Sequence, residues 1–312
     1  MNILSLFDGI SCGRIALERA GISIENYYAS EIDKHSKKIA LANFPNTIQL
    51  GDVRTITAEM IPDKIDLLVG GSPCTDLSVL NKNGKGLEGK KSGLFYEFVR
   101  LKEELKPKYF LLENVYSMKR EFRDKITELL GVEPILLNSK LVSAQSRSRL
   151  YWTNITGITT PQDKGILLKN IIEGGYTEKE KSSCLTASYN SSAVMNYFFR
   201  SERQKIFTCP VTAVTHTASG FTINTYYTPS DKIEVIFNKK EKYIYQKERN
   251  KGSLEKLKKI TRKLTVKECE RLQTLPERYC YHVSDNQQYK AIGNGFTVDM
   301  IAHIFSFIST EV

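Results

Sequence analysis

Along the first half of the chain, short apolar runs alternate with amphipathic stretches, the pattern of strands joined by crossover helices. Ile3 to Phe7 reads as a buried strand, and the apolar positions of Gly13 to Ala20 fall at helical spacing. Tyr27 to Ser30 predicts a second strand, followed by a helix over Lys34 to Ala42. Ile65 to Val69 predicts a third strand, after which a loop rich in Gly, Lys and Ser runs from Gly70 to Gly93. Leu94 to Leu105 is helical by its spacing, while Tyr109 to Leu112, Ile135 to Leu141 and Leu150 to Trp152 are further strands. This alternation predicts an α/β fold, a doubly wound and mostly parallel Rossmann-like sheet.

After about Ile158 the texture changes. Thr, Ser, Tyr and Lys become frequent, with strand-like pieces at Phe221 to Ile223 and Ile233 to Phe237. These predict a second, smaller, β-rich unit. A helical pattern from Val298 to Ile308 resumes at the end and is expected to pack back on the first sheet. The expected division is therefore 1–158 for the α/β unit, 159–284 for the β-rich unit and 285–312 for the returning helix.

Composition narrows the class. With 312 residues, 41% hydrophobic and 26% charged, the chain can bury a core as an ordinary globular protein. No apolar run approaches the ~20 residues needed to cross a bilayer, so no membrane role is expected. The first residues, Met1 to Phe7, carry no basic leader and read as a strand, not as a signal peptide. Six cysteines at 12, 74, 184, 209, 269 and 280 show no CxxC pair. That spacing argues against a zinc site or a disulfide framework and for reduced thiols in a cytoplasmic setting. The net charge of +10 makes a polyanionic partner plausible. Between Lys239 and Lys263 lie eleven Lys or Arg against three acids, with Tyr243 and Tyr245 interleaved, so the charge is concentrated. A solvated helix face is the plainer alternative there, because Leu254, Leu257 and Ile260 fall at helical spacing.

Candidate chemistry collects where strands end. Phe7-Asp8-Gly9-Ile10-Ser11-Cys12-Gly13 puts glycines between a strand and a helix, where backbone can approach a ligand closely. Glu31 ends the second strand and could accept from ribose hydroxyls; Asp52, in Gly51-Asp52-Val53, could take an amino group. Both could equally be surface caps. Gly70-Gly71-Ser72-Pro73-Cys74 follows the third strand, and a thiol there is either a buried structural cysteine or a nucleophile. Glu113-Asn114-Val115 emerges from the strand Tyr109 to Leu112, and Arg147 and Arg149 precede the strand at Leu150. A thiol, a carboxylic acid and two guanidinium groups converging on one sheet edge suit covalent catalysis on a heteroaromatic ring.

Those residues carry a resemblance. Phe7-Asp8-Gly9 through Gly13, Gly71-Ser72-Pro73-Cys74, Glu113-Asn114-Val115 and Gln145-x-Arg147-x-Arg149 resemble the cytosine-C5 DNA methyltransferase family. Arg262-x-Leu264-Thr265-x-x-Glu268-x-x-Arg271-Leu272-Gln273-x-x-Pro276 and Gly293-Asn294-Gly295 continue it in the family's order. It covers residues 1–312 apart from the variable 159–260. Gly71 to Ser78 and Gly93 to Phe98 look most like the eukaryotic de novo branch, but no reader domain accompanies them, which suggests a bacterial or phage enzyme. The chain departs from the family at Gly295-Phe296, where Ser-Val is usual, and at Thr75, where Gln is commoner.

The resemblance implies S-adenosylmethionine as cofactor, double-stranded DNA as partner, and a companion restriction endonuclease as a further candidate partner. It implies Cys74 as nucleophile on cytosine C6, Glu113 at N3 and the exocyclic amine, Arg149 at O2, and Arg147 orienting Glu113 or the loop. The cofactor would meet Phe7, Gly9, Glu31, Ile32, Asp52, Val53, Pro73, Leu94, Asn294 and Gly295. Thr75 to Ser92 would form a mobile flap that carries Ser78 to the DNA and Leu80 as a wedge into the duplex. Residues 159–260 would select the target, with Lys239, Lys240, Arg262 and Lys263 on phosphates. His216, Asn224, Arg200 and Arg203 could meet base edges or be ordinary loop residues. A tRNA cytosine-C5 methyltransferase and a catalytically silent DNA-binding relative remain the alternatives.

Overall fold

The computed structural model describes residues 1–73, 86–89, 92–190, 204–218, 221–238 and 251–309. Seven strands make the main sheet: β1 (Asn2–Leu6), β2 (Asn26–Ser30), β3 (Ile48–Gln49), β4 (Leu67–Gly70), β5 (Tyr109–Val115), β6 (Ile135–Asn138) and β7 (Ser148–Thr153). Their order is β3-β2-β1-β4-β5-β7-β6. All neighbours are parallel except that β7 runs antiparallel to both β5 and β6. The expected doubly wound, mostly parallel sheet is thus present, together with a smaller β-rich region.

Strand alternation explains the two layers, because successive side chains of a strand point to opposite faces. Ile3, Tyr27, Leu67, Val69, Leu111 and Tyr151 face one core. That core is covered by helix α1 (Cys12–Arg19) and the helix Val298–Phe305. Leu4, Leu6, Tyr28, Leu68, Phe110, Leu112 and Trp152 face the other core. There Phe95, Phe98 and Leu101 of the helix Phe95–Leu105 and Ile126 and Leu130 of the helix Arg120–Leu130 pack on them. The runs at β1, β4 and β5 are buried on both faces, which is why they read as continuous apolar stretches.

The smaller region has a three-stranded antiparallel sheet, Thr212–Ala218, Phe221–Tyr227 and Lys232–Asn238. Phe207, Tyr226, Ile233 and Val235 form a separate core with Leu254 and Leu257 of the helix Lys251–Lys259. The helical spacing at Leu254 and Leu257 therefore serves packing. Leu168, Leu185, Tyr189, Leu264, Leu272 and Tyr279 belong instead to the first core of the large sheet. The unit with its own core is narrower than 159–284.

Several strand boundaries differ from the expectation; β5, for one, runs on through Glu113 and Asn114 to Val115. Ile65 is buried, but the strand begins at Leu67. The strand from Ile135 stops at Asn138, whose side chain accepts from Lys140 N and Arg147 N and turns Ser139–Leu141 into a 3-10 helix.

Candidate active site

Parallel pairing delivers the chemistry to one edge. Leu6, Ser30, Gly70 and Leu112 are register neighbours across β2-β1-β4-β5, so Phe7, Glu31, Gly71 and Glu113 all emerge together. The antiparallel β7 starts at that same edge, with Arg149 opposite Val115, two residues beyond Glu113. An arginine at the beginning of a reversed strand can therefore reach a carboxylate near the end of a forward one.

The reach is made. Arg149 Nε and Glu113 Oε1 lie 2.8 Å apart, with side chains only 14% and 12% exposed. Arg147 does not take this role: its Nη1 donates to Leu185 O at 2.9 Å and its Nη2 to Gly295 O at 3.0 Å. Of the two roles expected for Arg147, orienting Glu113 or the loop, the carboxylate contact belongs to Arg149. Arg147 ties the segment around Leu185 to the Gly295 turn instead.

Ser72 and Pro73 end the described chain before the thiol, and Cys74, Ser78 and Leu80 lie outside the described residues. The turn that leads to them is held from both sides. Asn114 Nδ2 donates to Ser72 O and Oγ, both at 3.2 Å, and Ser92 Oγ donates to Pro73 O at 3.0 Å. Gly71 is where no side chain fits: a Cβ there would meet Phe296 Cε1 at 2.8 Å and Glu113 Oε2 at 3.4 Å. Asn114 and Phe296 are contributors that residue order alone did not single out; a polar residue inside a buried strand was the available signal for Asn114.

The first turn is built for close approach. Phe7, Gly9 and Ser11 all adopt positive φ, at 57°, 59° and 58°. Two are not glycine, so the surrounding contacts must hold a conformation that is costly by itself. They do: Asp8 is buried and accepts from Ser11 Oγ at 2.6 Å and Tyr27 Oη at 2.7 Å. Burial pushes the Asp8 carboxyl above its ordinary range against those hydrogen bonds. Glu31 fastens the turn to β2, accepting from Gly9 N at 2.8 Å and from Ile32 N and Asp33 N at 2.7 Å.

These residues fit an adenosine-bearing cofactor. A carboxylate offers about four lone-pair sites, and the three amides leave room for a ribose hydroxyl. Beside it Ile32 is 68% exposed, a flat aliphatic face suited to a purine. Two adenine-side expectations change. The Asp52 carboxylate is engaged by the Arg54 guanidinium, which holds it down at about 2. Val53 is buried, and its carbonyl accepts from Arg100 Nη2 at 3.3 Å. Leu94 packs partly buried against the second core, Asn294 is exposed, and Gly295 O is held by Arg147 and by Gln273 Nε2.

Of the expected phosphate contacts, Lys239 and Lys240 lie outside the described residues, as do Arg200, Arg203, Tyr243 and Tyr245. Arg262 has a partner within the chain: its Nη1 and Nη2 fork onto Glu268 at 2.8 and 2.7 Å, and Glu268 has a fully buried side chain. A guanidinium that neutralises a buried carboxylate is a structural tie. Lys263 Nζ likewise donates to Asn190 O at 2.6 Å. His216 and Asn224 sit on the three-stranded sheet, Asn224 Oδ1 accepting from Thr215 Oγ1 at 2.8 Å.

A sequence profile of the C-5 cytosine-specific DNA methylase family matches residues 1–310. The chain belongs to that family. It is 28% identical over 325 residues to the type II methyltransferase M1.ScrFI of Lactococcus lactis subsp. cremoris, covering 96% of this chain and 76% of the relative. With M.NgoPII of Neisseria gonorrhoeae it shares 27% over 331 residues, covering 99% and 95%. The orphan methyltransferase M.SPRI of Bacillus phage SPR is 34% identical over 163 residues, 48% of this chain but only 37% of the phage protein's length. Among solved structures, a mutant DNMT2 of Spodoptera frugiperda superposes with TM-score 0.69 at 19% identity, covering 98% of both chains. EhMeth of Entamoeba histolytica gives 0.69 at 18%, covering 98% of this chain and 97% of the other. Both share this methylase's fold. No helix among the described residues is long and apolar enough to cross a membrane.

Proposed function

We propose that this methylase transfers a methyl group from S-adenosylmethionine to C5 of a cytosine flipped out of duplex DNA, through a covalent bond from Cys74 to C6. The observation that carries the reading is the Glu113–Arg149 pair, at the sheet edge from which the Gly71–Pro73 turn leads to Cys74. The type II and orphan methyltransferases among its relatives support DNA as substrate and make a companion endonuclease a reasonable partner. The wording of residues 71–78 and 93–98 supports a place near the eukaryotic de novo branch.

Cytosine C5 is a poor nucleophile while the ring is aromatic. Addition of the Cys74 thiolate to C6 breaks that aromaticity and moves electron density to C5. Glu113 holds N3 and the exocyclic amine as charge develops there, a positioned proton worth ~10²–10⁴ in rate. Arg149 keeps that carboxylate aimed and contacts O2. When bound, S-adenosylmethionine supplies an electrophilic methyl group. Phe7, Gly9, Glu31, Ile32, Asp52, Val53, Pro73, Leu94, Asn294 and Gly295 would hold it. Loss of the C5 proton and expulsion of Cys74 restore the ring. Because a stacked base is out of reach, the cytosine must leave the duplex at a cost of a few kcal/mol. Ser78 and Leu80 would contact the DNA as it does so, and Lys239 and Lys240 its phosphates.

Tritiated methyl transfer to duplex DNA and to tRNA, with Cys74→Ala as control, tests the reading. Incorporation into DNA that vanishes in the variant is expected. Incorporation into tRNA alone, or none with wild-type protein, would overturn it.

A further inference from the structure

The methyltransferase reading leaves one group at the reacting centre without a task. Cys184 lies on a segment bridged to the one that carries Arg147. Gln145 pairs with Ser182 in a parallel bridge, Ser146 N donates to Ser182 O at 2.8 Å, and Leu185 N donates to Gln145 Oε1 at 2.7 Å. Gln145 is itself fixed, its Nε2 donating to Gln273 Oε1 at 3.1 Å and Leu272 O at 3.2 Å. The sulfur is thereby presented to both arginines: Arg147 Nη1 donates to it at 3.3 Å and Arg149 Nη2 at 3.7 Å. Its own proton goes to Leu185 O at 3.4 Å.

We propose that Cys184 is a positioning residue for methyl transfer, the shared acceptor that keeps the two guanidiniums apart and holds Arg149 Nε turned toward Glu113. A guanidinium has only donors, so an acceptor placed between two of them decides where each settles. Arg147 is anchored by two carbonyls besides the sulfur; Arg149 Nη1 donates to Ser148 O at 2.9 Å, and its Nε is the group that faces Glu113. Burial pushes the Cys184 thiol up, but the charges of Arg147 and Arg149 outweigh it and bring the thiol below its ordinary range. The arrangement also joins the segment around Leu185 to the carboxylate, so target-side contacts and the reacting centre share one strut.

This inference rests on the methyltransferase reading, and the experiment separates the two. Cys184→Ala removes the acceptor; Cys184→Ser keeps a small acceptor that can still donate to Leu185 O. Steady-state methyl transfer to duplex DNA, with thermal melting of each variant, is the measurement. In Cys184→Ala, kcat is expected to fall roughly 10- to 100-fold, as for a misplaced catalytic group. KM for DNA and for cofactor should stay within about threefold, and Cys184→Ser should recover most of the rate. A merely structural cysteine would lower melting temperature and shift kcat and KM without rescue by serine. Wild-type kcat in Cys184→Ala, or equal losses in both variants, overturns the inference while the methyltransferase reading stands. Absence of transfer by the wild-type protein removes that reading, and this inference with it.

Discussion

Replacing Glu113 by Gln isolates chemistry from folding. The shape is kept, and the new amide oxygen can still accept from Arg149 Nε, now 2.8 Å from Glu113 Oε1. What is lost is the charge. A hydrogen bond to a charged group contributes about 1.5–3 kcal/mol against about 1 for a typical neutral one, and both side chains are slightly exposed. The stability loss should therefore be only about 1–2 kcal/mol, a few degrees in Tm for a chain this long. The rate should suffer more. An amide cannot share a proton with N3, so the ~10²–10⁴ of acid–base assistance disappears, about 3–5 kcal/mol of barrier. Single-turnover methyl transfer, with enzyme and cofactor in excess over DNA, reads the chemical step, and equilibrium binding of each ligand reads the rest. Binding within threefold of wild type with transfer slowed at least 100-fold is the expected result. A single-turnover rate within threefold of wild type would refute the assignment of proton chemistry to Glu113.

Three further outcomes follow from the geometry. Gly71→Ala drives a methyl into Phe296 and toward Glu113, so it should cost about 1–3 kcal/mol and most of the activity, and the second change Phe296→Val should restore part of both; no loss in the single variant contradicts the close approach. Arg262→Ala strands the buried Glu268 carboxylate, which Glu173 N and Thr265 N still serve, so about 3 kcal/mol should go, roughly 5 °C in Tm. Its log–log salt slope for DNA binding should not change, whereas Lys239→Ala with Lys240→Ala should flatten that slope by about 1.8. Asp33 caps the helix Lys34–Asn43; burial alone would raise its carboxyl, but Lys290 and the amides of Ser36 and His35 outweigh that and bring it to about 2. A lowered carboxyl stabilises above its ordinary value of 3.8 and loses that contribution as pH falls toward 2. Asp33→Ala should thus cost ~1 kcal/mol at pH 7 in urea unfolding, shrinking below pH 4; a constant difference contradicts the ion pair.

Much of this was legible from residue order alone, for identifiable reasons. Strands buried on both faces, such as Leu67 to Val69 and Tyr109 to Leu112, stand out as unbroken apolar runs, and the catalytic candidates follow those runs, Glu113 still within its strand. The antiparallel course of β7 was not legible, since the run Leu150 to Trp152 reads the same in either direction; yet that reversal gives Glu113 to Arg149 and leaves Arg147 to carbonyls. Side-chain partners were equally hidden. Arg262 looked like part of a basic stripe until Glu268, six residues on, appeared as its buried partner. One signal was available and unused: Thr265-x-x-Glu268 is a capping box, and it opens the helix Val266–Leu272. Arg54, two residues from Asp52, likewise forestalls a free carboxylate, a competition that motif matching does not register.

The most direct test concerns the sulfur that the Gly71–Pro73 turn leads to. Duplex DNA bearing 5-fluorocytosine at a methylated site cannot lose a proton from C5, so the covalent species should persist. With cofactor supplied, peptide mass mapping should find the nucleotide attached at Cys74, and Cys74→Ala should yield no adduct. Methylation of ordinary DNA without any trapped bond at Cys74, or a bond at another cysteine, would contradict the account.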